Sequence, residues 1–267
     1  MTAPAASIYP GGQAIPARRP GPRAWVALVG AESRMVVRDT AGLVVPIALP
    51  LLFLVMNSLG VPTDPLPGAG GMSAFDVFVV PLILTIVIAT IGVVNMPSFL
   101  AYYRKGGVLR RLAVTPASPG MILVAQVITS ALQTIVGIAL ALGVAVLWLG
   151  AQLPARPGLA IGVLALAAAA MYALGMAVAA LAPSGNAATA TGLGLFFALG
   201  AIGGMFGPTT NLPDGVARVG EMLPFGASVQ ALSAAWVGQV PEPQHLVALA
   251  VTVVVSGGVA ARFFRWE

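Results

Sequence analysis

The chain has 267 residues, of which 58% are hydrophobic and 8% charged, with a mean hydropathy of +0.97. Soluble domains carry roughly 25% charged residues, so too few polar side chains are present to cover a water-facing surface, and the apolar excess must face lipid. The absence of cysteine excludes disulfides, thiolate nucleophiles and cysteine-bound metals. In such a chain the placement of the charges matters more than their sum of +5, and no nucleic-acid partner is expected.

Residues 1–23 are rich in Pro, Gly and Ala and carry Arg18, Arg19 and Arg23. They read as a disordered cytoplasmic tail, with no apolar run of signal-peptide length behind a basic start. Residues 24–40 read as an amphipathic interfacial helix: Trp25, Leu28, Val29 and Val36 share one face, and Ala27, Arg34 and Arg38 the other. The remainder, 41–267, reads as a six-helix transmembrane domain. The expected spans are about 41–59, 75–94, 121–149, 159–181, 188–206 and 246–264, each near the ~20 residues that cross a bilayer. Pro46 and Pro50 lie inside the first span, which a membrane helix tolerates when neighbours satisfy the freed carbonyls. A polar connection, Asn95 to Gly120, is expected between the second and third spans. The apolar stretch Phe225 to Val237 is too short to span and reads as a re-entrant or interfacial helix before the last span. The expected fold class is therefore all-α integral membrane.

With the N-terminus inside, the cytoplasmic side holds Arg18, Arg19, Arg23, Arg34, Arg38, Arg104, Lys105, Arg110, Arg111, Arg262 and Arg265. The other side holds only Arg156 and Arg218. By the positive-inside rule both termini are cytoplasmic in a multi-pass plasma-membrane protein. High Ala, Gly and Arg content with a single lysine points to a GC-rich bacterial, actinobacterial, source.

Chemistry-bearing motifs are absent. No G-x-x-x-x-G-K-[ST] phosphate loop occurs, so the chain is not expected to be an enzyme or to bind a cofactor. No H-E-x-x-H and no Cys/His cluster offers a metal site. The one histidine, His245, has no evident nucleophile or orienting partner and reads as an interfacial residue. Asp76 sits at the edge of the second span, where water reaches it, and a proton-relay role is the less favoured reading. On the third span Gln126, Thr129, Ser130, Gln133 and Thr134 share one face, which must look into the protein. Interhelical hydrogen bonding is the favoured use of that stripe, with substrate lining as the other. Gly200 with Gly204, and Gly203 with Gly207, form G-x-x-x-G pairs that favour close helix contact inside the subunit.

The segment after the second span reads Tyr103-Arg104-Lys105-Gly106-Gly107-Val108-Leu109-Arg110-Arg111-Leu112, then Thr115-Pro116 and Ser118-Pro119. It closely resembles the first cytoplasmic loop of type-2 ABC exporter permeases, in which Gly-x-Leu, two charged residues and Leu precede Thr-Pro and a further Pro. The likeness extends to the amphipathic N-terminal helix, the six spans and the long loop before the last. There Leu223-Pro224-Phe225 and Val229-Gln230-Ala231-Leu232 look like the family's pattern. One departure is Lys105, where the family usually carries a glutamate.

The resemblance implies a permease subunit of an ATP-driven exporter. It would pair with a second permease copy, identical or paralogous, and with separate cytoplasmic ABC ATPase subunits that hold ATP and Mg. A coupling helix would dock on the ATPase through Arg104, Lys105, Gly107, Leu109, Arg110, Arg111 and Leu112. Leu109 and Leu112 would supply an apolar contact, and the arginines would reach acidic groups on the partner. The family would place the second and fifth spans at the dimer centre, making Thr85, Thr90, Asn95, Phe196, Phe197 and Met205 candidates to line the cargo path. An uncharged, partly aromatic lining suits hydrophobic or amphipathic cargo such as antibiotics, drugs or lipids. The alternatives are an ion-coupled secondary transporter, which would show mid-membrane carboxylates and internal repeats, and a membrane-embedded lipid-modifying enzyme, which would show a polar cluster at one interface.

Overall fold

The computed structural model describes residues 21–62, 64–105 and 119–263. Among them no β-strand forms; the only extended pairing is a single bridge between Pro65 and Ser73. The chain begins with α1 (Pro22–Arg38) and α2 (Thr40–Ser58). The second span is one uninterrupted helical run of four pieces: the π turn π1 (Phe75–Val79), α3 (Val80–Ala89), the π turn π2 (Thr90–Asn95) and α4 (Met96–Lys105). Then follow α5 (Pro119–Leu149), α6 (Pro157–Leu181), α7 (Gly185–Ile202), α8 (Asp214–Met222), α9 (Pro224–Trp236) and α10 (Pro243–Phe263).

Six of these runs are long and apolar enough to cross a membrane, by length and composition: Thr40–Ser58, Phe75–Leu100, Met121–Leu149, Pro157–Leu181, Gly185–Ile202 and Pro243–Phe263. Two boundaries differ most from the sequence expectation. The second helix does not end at Val94 but runs on through Asn95 to Lys105, because π2 absorbs the change in register without breaking the hydrogen-bonded backbone. The fifth ends at Ile202 rather than near 206. Gly203 closes it, and Gly204, at φ +94°, and Gly207, at φ +150°, take conformations open to glycine and turn the chain away. Of the glycines that form G-x-x-x-G pairs in sequence, Gly200 lies within α7 against Met205 and Gly203 seats closely on Phe225 and Gly226, as close contact inside the subunit requires, while Gly204 and Gly207 belong to the turn.

Local signals account for the other ends. Asp39 separates α1 from α2 and caps α2 by accepting from Gly42 N (3.2 Å). Ser184 caps α7 by accepting from Ala187 N (3.2 Å). Pro22, Pro157 and Pro224 stand in the first turns of α1, α6 and α9, where a missing N–H costs nothing.

The second span is the hub. It touches α2, α5, α6, α7 and α9, and 94% of its apolar window is buried, against 17% for the sixth. A span enclosed by its own subunit gains dispersion contacts on every side, whereas the outer spans leave apolar surface for lipid. Close approach to the hub depends on glycine. At π2 the Gly92 and Val93 carbonyls project toward α6 and α7, and a Cβ on Gly175 or Gly192 would overlap them. The most extensive helix pairing is α6 with α10. Helix α1 lies against α5 and α2, its inner face formed by Trp25, Leu28, Val29, Glu32, Met35 and Val36.

Candidate functional site

Three polar features are built into the bundle. The first is a carbonyl clamp. Pro46 has no N–H, so the Gly42 carbonyl four residues earlier loses its helical partner. Two side chains replace it: Asn95 Nδ2 donates to Gly42 O at 2.6 Å and Gln133 Nε2 donates at 2.7 Å. One backbone oxygen thus ties the first, second and third spans together. Gly42, Pro46, Pro50 and Leu54 are the buried face of α2, which presents this carbonyl to the bundle. The sequence signal was the Gly42-x-x-x-Pro46 spacing, which specifies an orphan acceptor without naming its donors.

The second feature is the stripe on the third span. The Thr134 and Tyr172 hydroxyls hydrogen-bond each other, and Tyr172 Oη also donates to Ser130 O (3.1 Å), linking α5 to α6. Gln133 serves the clamp. Gln126 Oε1 and Thr129 Oγ1 are buried without a hydrogen-bond partner among the described residues. Two side chains of the stripe, Gln133 and Thr134, and the main-chain carbonyl of Ser130 therefore join helices, in line with the interhelical reading.

The third feature lies at the opposite end of the bundle from Lys105. Ser73 and Asp76 form a reciprocal cap. Asp76 Oδ2 accepts from Ser73 N (2.9 Å) and Ser73 Oγ (2.8 Å), while Asp76 N donates to Ser73 Oγ (3.3 Å). Asp76 Oδ1 accepts from Gln152 N at 2.7 Å. Gln152 Nε2 donates to Gly71 O (3.0 Å), Trp236 Nε1 donates to Gln152 O (3.0 Å), and Ala155 N donates to Trp236 O (2.8 Å). The Asp76 carboxylate joins the connection before the second span to that after the third, and the Gln152 and Ala155 backbone adds the end of α9. With three donors satisfying it, Asp76 is a structural acceptor in a buried site, and its Ser-x-x-Asp spacing was the signal in the sequence. Gln152 and Trp236 carried no such signal.

The residues singled out from sequence are distributed as follows. Arg104 and Lys105 close α4. Gly107, Leu109, Arg110, Arg111 and Leu112 lie outside the described residues. Thr85 is buried and turns its hydroxyl back to Pro81 O (2.9 Å), and Thr90 does the same to Ile86 O (2.8 Å) and Val87 O (2.9 Å). Asn95 is committed to the clamp. Phe196 and Met205 are buried, Met205 against Gly200. Phe197 alone is exposed, at 44%. It stands edge-on to Phe196 (5.2 Å between centroids) and stacks on Phe206 (6.5 Å), which lies 6.2 Å from Phe53 of α2. Five of the six candidates are thus enclosed by their own subunit. Phe197 belongs instead to an aromatic row that runs through Phe206, in the turn after the fifth span, to Phe53 of the first.

Glu32 carries no motif in the sequence. It is buried on the inner face of α1, one turn from Leu28 and Val36, and is engaged there rather than free. No group of three or more metal-ligating side chains occurs among the described residues.

No curated protein matches the sequence. Residues 36–262 match the family described as ABC-2 family transporter protein, a stretch that begins at the end of α1 and closes with α10. The chain belongs to that family and is a membrane component of an ABC transporter.

Proposed function

We propose that the chain is the membrane half of an ATP-driven exporter. A second permease copy completes the translocation unit, and a separate ABC ATPase docks on residues 104–112 and supplies ATP and Mg. The observation that carries this reading is the family match over 36–262, which encloses Gly107-x-Leu109-Arg110-Arg111-Leu112 between the second and third spans. ATPase closure would push this segment and, through α4, the π2 turn and the hub of the bundle. A π turn held against Gly175 and Gly192 is a place where a helix can change register without losing its hydrogen bonds. The cargo we propose is hydrophobic or amphipathic, of the kind represented by antibiotics, drugs or lipids. The row of Phe53, Phe197 and Phe206, in which Phe197 and Phe206 are exposed and Phe53 is half-buried, supports this, because apolar aromatic faces take such molecules and carry no charge to select ions.

The experiment is co-purification in mild detergent of the wild type and of a double variant, Leu109→Asp with Arg110→Glu. A Walker-motif ATPase should accompany the wild type and be lost with the double variant. Retention by the variant overturns the coupling assignment. Stimulation of the reconstituted ATPase by amphipathic compounds, weakened by Phe197→Ala, tests the cargo class.

A further inference from the structure

Helix α1 turns its most apolar side, with Leu28, Val29 and Val36, toward α2 and α5, so what it presents outward is the other face. Arg23, Arg34 and Arg38 are exposed there. Arg23 and Arg34 lie about three helical turns apart and Arg38 about one turn further, so the three form a single stripe along the helix. Val26 and Val37 stand beside that stripe and are 74% and 65% exposed. Apart from Pro22, the remaining exposed positions of α1 are alanines. The one acidic residue of the helix, Glu32, is buried on the opposite face. Among the described residues none of the three arginines has an ion-pair partner.

The carbonyl clamp sets the depth of this face. Asn95 holds Gly42 O at 2.6 Å, and Asn95 lies about one and a half turns before Leu100, where the apolar window of the second span ends. Asp39, just under one turn before Gly42, is the single residue between α1 and the first span. Arg38 therefore stands where hydrocarbon gives way to head groups, and packing along α5 keeps the rest of α1 against the bundle. A helix face turned to water mixes acidic and uncharged polar side chains with its basic ones. This one offers arginine, valine and alanine, the pattern of a basic helix on a membrane surface. Guanidinium groups pair with phosphate oxygens in a two-pronged geometry, and valine and alanine tolerate the acyl boundary beside them. We propose that the outward face of α1 is a docking surface for anionic phospholipid, with Arg23, Arg34 and Arg38 on the phosphates and Val26 and Val37 at the edge of the acyl region. The depth of Arg38 favours lipid over an acidic protein surface as the occupant.

The chain has no cysteine, so the variant Val37→Cys takes a fluorescent NBD label at one position. The full chain is placed in phosphatidylcholine nanodiscs containing either doxyl-labelled phosphatidylglycerol or doxyl-labelled phosphatidylcholine, each with the quencher high on the chain. The anionic lipid should quench the label at lower mole fraction than the zwitterionic one. A label at Val254→Cys, on the exposed side of the sixth span, should be quenched equally by both. Arg34→Gln should raise the mole fraction of phosphatidylglycerol needed for half-quenching about fivefold, the equivalent of ~1 kcal/mol for one arginine at an anionic surface. Changing Arg23, Arg34 and Arg38 together to Gln should abolish the preference, and so should raised salt. Changing Arg156, Arg218 and Arg262 to Gln alters the net charge equally and should leave the preference intact. Because the stripe is exposed and unpaired, its variants should keep their thermal stability in pure phosphatidylcholine, which separates loss of the surface from loss of the fold. Equal quenching by the two lipids at Val37, or equal effects of the two triple variants, overturns the proposal. A label quenched by neither lipid also overturns it and assigns the stripe to an acidic protein partner. No ATPase takes part, so the outcome is independent of the coupling experiment.

Discussion

Removing the two donors of the carbonyl clamp should show a specific form of non-additivity. Asn95→Leu takes one hydrogen bond from Gly42 O and leaves the other in place. Side-chain bonds between membrane helices are worth ~0.6 kcal/mol on average and at most ~1.7 kcal/mol, so each single substitution should cost about 0.6–1 kcal/mol. The double substitution strands a buried carbonyl with no N–H to return to, because position 46 is proline. An unsatisfied buried acceptor costs roughly 1–3 kcal/mol in its own right. The double variant should therefore lose about 1 kcal/mol more than the sum of the singles. In a Pro46→Ala background the helix regains its donor to Gly42 O, and this excess should disappear. Reversible unfolding by SDS titration in mixed micelles measures all the corners of the cycle. Additive costs in the parent background, or an excess that persists with Pro46→Ala, would refute the account of the clamp.

Three further outcomes follow from the same geometry. Asp76→Asn replaces an acceptor of three donors by a group that presents an N–H₂ to some of them, and should cost about 1–3 kcal/mol; transport by the folded fraction should survive, whereas its complete loss at normal stability would restore the proton-relay reading. Trp236→Phe removes the Nε1–H bond to Gln152 O, a loss of about 1 kcal/mol, and amide exchange over 150–156 should speed up; unchanged exchange there would show that the stitch is not structural. Gly175→Ala drives a methyl into the Gly92 carbonyl and should cost about 1–3 kcal/mol, seen as lowered thermal stability, while Gly162→Ala on the same helix, where nothing lies within 4 Å, should be neutral; equal effects of the two would disprove the close seating of α6 on π2.

Much of the architecture was legible in the amino-acid sequence, because lipid imposes a one-dimensional requirement. An apolar run of about twenty residues must form a spanning helix with its backbone satisfied internally, and six such runs are present. The family was legible too, since the Gly107 to Leu112 pattern and its position between spans are linear features. The inward turn of the third-span stripe also followed from spacing alone, because lipid would penalise that face.

Neighbour relations were a different matter. Hydropathy is highest for the second span, 2.9 against 2.0 for the sixth, but an apolar helix suits protein neighbours and lipid equally, so the value does not say which of the two encloses it. Only the assembled bundle makes the second span the hub, and so removes Thr85 and Thr90 from its surface and commits Asn95 to the clamp. Glycine patterns were ambiguous for the same reason. Gly200 and Gly204 read as one helix face, yet only Gly200 is helical, and a positive φ places Gly204 in the turn that follows. Gly175 and Gly192 carried no motif, yet they are the hollows into which the π2 carbonyls fit. Local rules told where a carbonyl would be freed and where a carboxylate would cap. The tertiary structure alone decided which distant side chains met them, because Gly42 with Gln133 and Asp76 with Gln152 are joined across 91 and 76 residues of chain, contacts for which no local spacing encodes a partner.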